Sequence, residues 1–295
     1  MYDIESVIVA STVDEAIEEL VKNPKAEVIS GGTDVLIKIR EGKMAGCHLV
    51  NISNIPELKG IEMDSDGTII IKAATVFSHI TNDDIIKQYI PNLGDAVDQV
   101  GGPQIRNMGT IGGNVCNGVT SADSASTLCV LDAKMELKGP EGTRIIPITE
   151  WYQGAGKTVR KQNEILTAIR IEKENYEGYH GRYIKYGKRK AMEIATLGCS
   201  VMTKLTPDKK AIEKLKIGYG VAGPVPMRCV EAEQMARGKT VSRELLDCIC
   251  ENVLKEVHPR SSWRASKEFR LQLVEEMLRR AFEETVIAGG GNIDV

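Results

Sequence analysis

Two glycine doublets constrain this chain more than any other feature of its sequence. Ser30-Gly31-Gly32-Thr33-Asp34 and Thr110-Ile111-Gly112-Gly113-Asn114 each set adjacent glycines between an apolar run and further apolar residues. Adjacent glycines free positive φ of its steric penalty and let a ligand approach the main chain closely. Successive N–H groups in such loops bind anions through their dipoles rather than through lysines. Two neutral loops of this kind converging on one cleft would suit a diphosphate, whose charges need several donors. Taken singly, each loop has a simpler explanation, a tight turn.

The 295 residues suit two domains, or one domain with a large second lobe. Lys and Arg total 38 against 41 Asp and Glu, a formal charge of −3 with both signs mixed along the chain. That balance argues against nucleic-acid binding, which draws much of its affinity from a basic surface. No apolar run approaches the roughly 20 residues of a membrane span. The N-terminal stretch MYDIESVIVASTVDEAIEEL has no Lys or Arg with which a signal or transit peptide would begin. A cytoplasmic protein without membrane contact is expected. The seven scattered cysteines form no C-x-x-C and read as small buried hydrophobes, not as zinc or iron–sulfur ligands.

Periodicity divides the chain into three stretches. First comes a small α/β unit: a strand from Ile4, a helix opened by the capping box Thr12-Val13-Asp14-Glu15, a strand ending at Ile29, a helix over Val35–Arg40 and a strand over His48–Ile52. Next, a hairpin turning at Ser65-Asp66-Gly67 leads to short helices and then to strands at Lys134–Lys138, Arg144–Ile148 and Ile165–Ile171. After a polar boundary at Glu172–Gly181, three strands precede helices at Cys229–Ala236, Arg243–Val257 and Ser262–Thr285. The glycines Gly289-Gly290-Gly291 read as a frayed tail.

Familiar catalytic patterns are missing. Gly154-Ala155-Gly156-Lys157-Thr158 resembles the end of a P-loop, but Trp151 stands where G-x-x-x-x-G-K-S/T requires glycine, so a loop between strands is the better description. No G-x-G-x-x-G opens a helix, no two of the four histidines are four apart, and no G-x-S-x-G occurs. If the chain is an enzyme, its difficult chemistry belongs to a cofactor.

SGGTDVL (Ser30–Leu36), QIRNMGTIGGN (Gln104–Asn114) and Ser121-Ala122-Asp123 together resemble the FAD-binding medium subunit of the molybdenum hydroxylases, the xanthine dehydrogenase and carbon monoxide dehydrogenase family, over nearly the whole chain. The stretch Pro259-Arg260-Ser261-Ser262-Trp263-Arg264-Ala265-Ser266-Lys267 looks most like the xanthine dehydrogenase branch. The resemblance implies an α+β protein: a two-subdomain FAD-binding fold of the p-cresol methylhydroxylase/vanillyl-alcohol oxidase type over residues 1–177, with subdomains of about 1–57 and 58–177. A C-terminal domain of a three-stranded sheet plus helices over 178–288 and a tail over 289–295 follow.

Carried over residue by residue, Val28, Ile29, Ser30, Gly31, Gly32, Thr33, Asp34 and Val35 match the first FAD loop, whose main chain wraps the diphosphate. Thr110, Ile111, Gly112, Gly113 and Asn114 match the second loop, and Val100 a contact just upstream of it. Asp123 matches an acid beside the diphosphate–ribose region, and Leu166 and Lys185 match further flavin contacts, although a core position and a solvated surface are their plainer readings. The resemblance implies no catalytic side chain and no metal in this chain.

It implies electrons arriving from [2Fe-2S] clusters and leaving through FAD to NAD+ during hydroxylation of a purine or another N-heterocycle. Molybdopterin and the clusters would sit on a large and a small partner subunit, in a dimer of heterotrimers. The cysteine-rich insertion that some relatives carry for an extra cluster is missing from the second subdomain, which favours the purine-hydroxylase branch over the aromatic-thioester reductases. Two readings stand beside this one. A stand-alone FAD-dependent NAD(P)H reductase of the same superfamily would need its own substrate pocket and proton donor, and a non-catalytic nucleotide-binding scaffold would use the loops for structure.

Overall fold

Thr12 separates the first strand, β1 (Ile4–Val9), from the first helix, α1 (Val13–Lys22). Its hydroxyl accepts the Glu15 N–H at 3.1 Å while the Glu15 carboxylate takes the Ser11 N–H at 2.7 Å, so the capping box forms one residue wider than its usual register. The computed structural model describes residues 2–293. It continues through β2 (Ala26–Ile29), α2 (Val35–Arg40) and β3 (Cys47–Asn51). β3 lies between β1 and β2, parallel to both, so the first glycine loop leaves the carboxyl end of a parallel strand. Val13, Ala16, Ile17 and Leu20 of α1 form a buried stripe that packs with Val50 and Ile52.

The second subdomain starts with the hairpin β4 (Ile61–Met63) and β5 (Ile69–Lys72), followed by α3 (Phe77–Asn82), α4 (Asp84–Tyr89) and α5 (Pro91–Asp98). Three helices that the sequence pattern does not mark come next: α6 (Pro103–Arg106), α7 (Ile111–Cys116) and α8 (Asp123–Val130). Then β6 (Lys134–Gly139), β7 (Gly142–Pro147), α9 (Ile148–Trp151), the short hairpin β8 (Tyr152–Gly154) and β9 (Lys157–Thr158), and β10 (Ile165–Ile171) complete it. The five-stranded antiparallel sheet has the order β4-β5-β10-β6-β7. The P-loop look-alike is thus the turn of a two-stranded hairpin, with Gly156 at φ 75°.

Every residue of α8 is buried, which is why its sequence, DSASTLCV, carries no helical period of polar and apolar residues. This helix packs against the sheet of the C-terminal domain. That sheet contains β11 (His180–Tyr186), β12 (Leu197–Leu205) and β13 (Ile212–Gly220), and a two-residue strand, β14 (Met227–Arg228), extends the expected three strands to four. Gly218 of β13 allows the close approach, since a Cβ there would meet the Ser126 carbonyl oxygen at 2.6 Å. Asp132, at φ 45° just after α8, fastens the two domains: it accepts the Lys216 ammonium at 2.8 Å and also pairs with Arg228, which in turn binds Glu233.

Helices α10 (Val230–Ala236), α11 (Arg243–Glu256) and α12 (Lys267–Ala288) share the core of the C-terminal domain with its sheet. The expected frayed tail is instead docked as far as it is described. Gly290 takes φ 83°, the Gly291 N–H reaches the Val286 carbonyl at 2.9 Å, and Ile293 is buried in the core. Residues 294–295 lie outside the described residues.

Candidate functional site

The two glycine loops meet. Gly31 sits so close to the segment leading into the second loop that a Cβ on it would lie 1.8 Å from the Met108 carbonyl oxygen. Gly32 takes φ 72° and turns the chain from β2 into α2. Among the described residues, no hydrogen bond is donated by the main-chain N–H groups of Gly31 through Val35. Five consecutive donors are therefore free, and the hydroxyl of Ser30 beside them is buried without a partner.

The second loop differs from its expected role as another set of free donors. Thr110 caps α7, accepting the Gly113 N–H at 3.2 Å on its hydroxyl and the Asn114 N–H at 3.0 Å on its carbonyl. Ile111 and Gly112 donate to the carbonyls of Thr75 and Ala73, at 3.1 and 2.9 Å. The first two N–H groups close the helix cap, and the other two hold the helix against the chain just after β5. Gly112 is needed for that contact, because a Cβ there would meet the Ala73 carbonyl oxygen at 2.6 Å, whereas at Gly113 a Cβ would touch only the Thr110 hydroxyl at 3.0 Å.

Between the loops lies a cleft of about 640 Å³, within the range of small-molecule and cofactor sites. Val28, Ser30 to Val35, Val100, Thr110, Gly112 to Asn114, Asp123 and Leu166 line it. Ile29, Ile111 and Lys185 do not, and Ile111 is fully buried in the core beneath the second loop. Among the described residues, only Lys38 and Arg160 bring positive charge to the lining, against Glu27, Asp34, Asp123, Glu164 and Glu193. An anion held here would rely mainly on main-chain N–H groups.

Asp123, at the N-terminus of α8, is the most constrained of these acids. Its carboxylate accepts the Tyr183 hydroxyl at 2.7 Å and the Lys185 ammonium at 2.8 Å, both from β11, and Lys185 also donates to the Gln99 carbonyl at 2.9 Å. Burial pushes the Asp123 carboxyl up from its ordinary range while the charge of Lys185 pulls it back. Lys185 thus acts on the site through Asp123 rather than by lining it. Leu166 lines the cleft at a bulge in β10, where the register on β6 shifts between Leu166 and Ala168 and the Thr167 carbonyl accepts the Ala73 N–H at 2.9 Å just after β5.

Several lining residues were missed by the sequence reading. Phe77 and Ile105 supply apolar wall, and Arg160 is fixed by donating to the Glu164 carbonyl at 2.8 Å. Met192, Glu193 and Ile194 come from the connection between β11 and β12, held by a hydrogen bond from the Met192 N–H to the Gly101 carbonyl at 3.3 Å. That charged, glycine-flanked stretch gives no sign in the sequence that it returns to the cleft. Cys116 also lines the wall, and burial pushes its thiol up to about 11, so it carries little thiolate at neutral pH.

Residues 2–173 match the FAD binding domain in molybdopterin dehydrogenase, and residues 182–285 match the CO dehydrogenase flavoprotein C-terminal domain. The chain belongs to the FAD-binding subunits of the molybdenum hydroxylases. Within that family it is 42% identical over 293 residues to the xanthine dehydrogenase FAD-binding subunit of Escherichia coli O157:H7, covering 99% of this chain and 100% of the relative. It is 28% identical to the glyceraldehyde dehydrogenase medium chain of Sulfolobus acidocaldarius, covering 95% and 97% of the two chains. Its fold superposes on a carbon monoxide dehydrogenase chain from Hydrogenophaga pseudoflava with a TM-score of 0.91 at 26% identity, covering 98% and 99%. Among the described residues, no helix is long and apolar enough to cross a membrane, and no group of three or more His, Cys, Asp or Glu is placed to hold a metal ion.

Proposed function

We propose that this chain is the flavoprotein subunit of a xanthine dehydrogenase-type hydroxylase, with FAD held in the cleft between the two glycine loops. The observation that carries this reading is the row of free N–H donors from Gly31 to Val35 beside the orphaned Ser30 hydroxyl. Those donors suit a diphosphate, and the open face of Gly113 leaves room for it on the opposite wall. Asp123, fixed by Tyr183 and Lys185, is oriented to accept from a ribose hydroxyl, and Val100 and Leu166 offer apolar surface to a flavin ring.

When bound, FAD supplies the redox chemistry, exchanging single electrons with an iron–sulfur centre and a hydride with NAD+. The chain's own residues bind and orient it: main-chain dipoles neutralise the diphosphate, the Lys185–Asp123 pair fixes one end, and the apolar walls exclude water. Hydroxylation of a purine or another N-heterocycle would take place on a large molybdopterin-binding subunit. Electrons would reach this chain through a small [2Fe-2S] subunit, in a cytoplasmic dimer of heterotrimers. Anaerobic addition of NADH to the FAD-loaded protein tests the acceptor: bleaching of the oxidised flavin bands is expected, and bands unchanged at millimolar NADH would exclude NAD+ as the partner.

A further inference from the structure

Away from the cleft, the segment joining α11 to α12 carries the most exposed large apolar side chain among the described residues, Trp263 at 79%. The chain has two tryptophans, and the other, Trp151, is fully buried. The segment is tied down rather than slack. Ser262 donates its N–H to the Ala265 carbonyl at 2.9 Å, Lys267 donates its N–H to the Ser261 hydroxyl at 2.8 Å, and the buried Arg270 reaches the Ser262 hydroxyl at 2.9 Å and the Arg260 carbonyl. The backbone that carries the indole is therefore held in place, so the ordering cost of a binding event falls mainly on side chains.

Its surroundings are cationic. The Arg264 guanidinium lies 4.3 Å and the Lys188 ammonium 5.8 Å from the ring centroid. Arg270, only 2% exposed, has an unpartnered Nε, and the charges that bear on it are those of Arg260 and Arg264. Among the described residues, Arg260, Arg264, Arg270 and Lys188 form no ion pair, while the acids of the same face, Glu193 and Glu268, lie against Arg189 and Lys267, so on a chain of net charge −3 this is a local excess of positive charge. Phe269, 39% exposed, stands edge-on to Tyr186 at 5.6 Å between ring centroids and adds aromatic surface from the same two segments. Exposed Trp, Tyr and Arg are the residue types that carry most of the energy of protein interfaces. Trp263 does not line the cleft, and an indole standing this far out lacks the concavity of a small-molecule site.

We infer that Trp263, with Arg264 and Lys188 beside it, is an anchor by which this chain docks on another subunit of its assembly, one that sets carboxylates around an apolar socket. The inference rests on the heteromeric assembly proposed above. It assigns the contact to the face formed by the α11–α12 segment and the start of the β11–β12 connection.

The test is co-expression of the full chain with the molybdopterin-binding and [2Fe-2S] subunits from the same organism, followed by affinity purification and size exclusion. Wild-type protein, Trp263→Ala, Arg264→Glu and a control reversal at the exposed Lys43, in the connection between α2 and β3, are compared. Capture of the partners should fall at least tenfold with Trp263→Ala and with Arg264→Glu, more steeply at low salt for the charge reversal. Lys43→Glu should match wild type, and flavin content and melting temperature should not change in any variant. Wild-type capture by both Trp263→Ala and Arg264→Glu would overturn the assignment while leaving the assembly intact. If wild-type protein itself captures neither partner, the assembly reading fails and the anchor with it.

Discussion

The ammonium of Lys185 lies 2.8 Å from the carboxylate of Asp123, and the two side chains, from different domains, are 8% and 7% exposed. This pair joins the C-terminal sheet to the wall of the cleft, so a change at Lys185 should be felt in both stability and binding. Replacing Lys185 with Met leaves a buried carboxylate opposed only by the Tyr183 hydroxyl. A loss of about 3–5 kcal/mol near pH 8 is expected.

The pH dependence of that variant follows from the direction in which burial moves Asp123. A carboxyl whose folded value lies above its unfolded one loses stability as pH rises through that interval, and no more above it. Removing Lys185 widens the interval upward from the ordinary value of 3.8. Urea unfolding should therefore show Lys185→Met approaching wild type as pH falls from 8 toward 5, while Asp123→Asn combined with Lys185→Met shows a flat difference. A flat difference for Lys185→Met alone would mean that Asp123 is not the group left exposed to the change.

Gly113 and Gly31 should respond differently to a side chain. At Gly113 a Cβ meets only the Thr110 hydroxyl, and valine is a better helix former than glycine, so Gly113→Val should fold with little change in melting temperature. Its side chain would occupy the cleft, and FAD affinity should fall about tenfold or more, ~1.4 kcal/mol. Gly31→Ala drives a Cβ into the Met108 carbonyl and should disturb the loop junction itself, lowering thermal stability and flavin content together.

Asp132 offers a test of the domain contact. Burial lowers the Lys216 ammonium from its ordinary 10.5, and Asp132 opposes that shift. Asn tolerates the positive φ at this position, so Asp132→Asn removes the charge with little backbone strain. It should destabilise the protein by about 3 kcal/mol at neutral pH. A base with a depressed folded value gains stability as pH rises from that value toward its ordinary one, so the deficit should shrink on going from pH 7 to pH 10 in chemical unfolding.

Much of this architecture is written locally. The Thr12 cap, the α1 stripe and the three strands of the C-terminal sheet that the sequence marks follow from short-range pattern, and the glycine doublets mark the loops because close packing and positive φ leave glycine little competition. Residues buried on all sides are silent in the same terms, which hides α8. So are contacts made across long stretches of chain: the spending of the Ile111 and Gly112 donors on Thr75 and Ala73, and the return of Met192 to Gly101. The glycines at the C-terminus read as slack because sequence alone does not show Ile293 docking beyond them.

The most direct measurement is equilibrium binding of FAD to the purified, flavin-stripped chain by calorimetry, with the visible spectrum and the flavin released on denaturation recorded on the same sample. One FAD per chain, oxidised-flavin absorption bands and at least tenfold weaker binding by Gly113→Val are the expected results. A folded chain that takes up no FAD at micromolar concentrations, or binds it equally well with Gly113→Val, would contradict the placement of the cofactor between the two glycine loops.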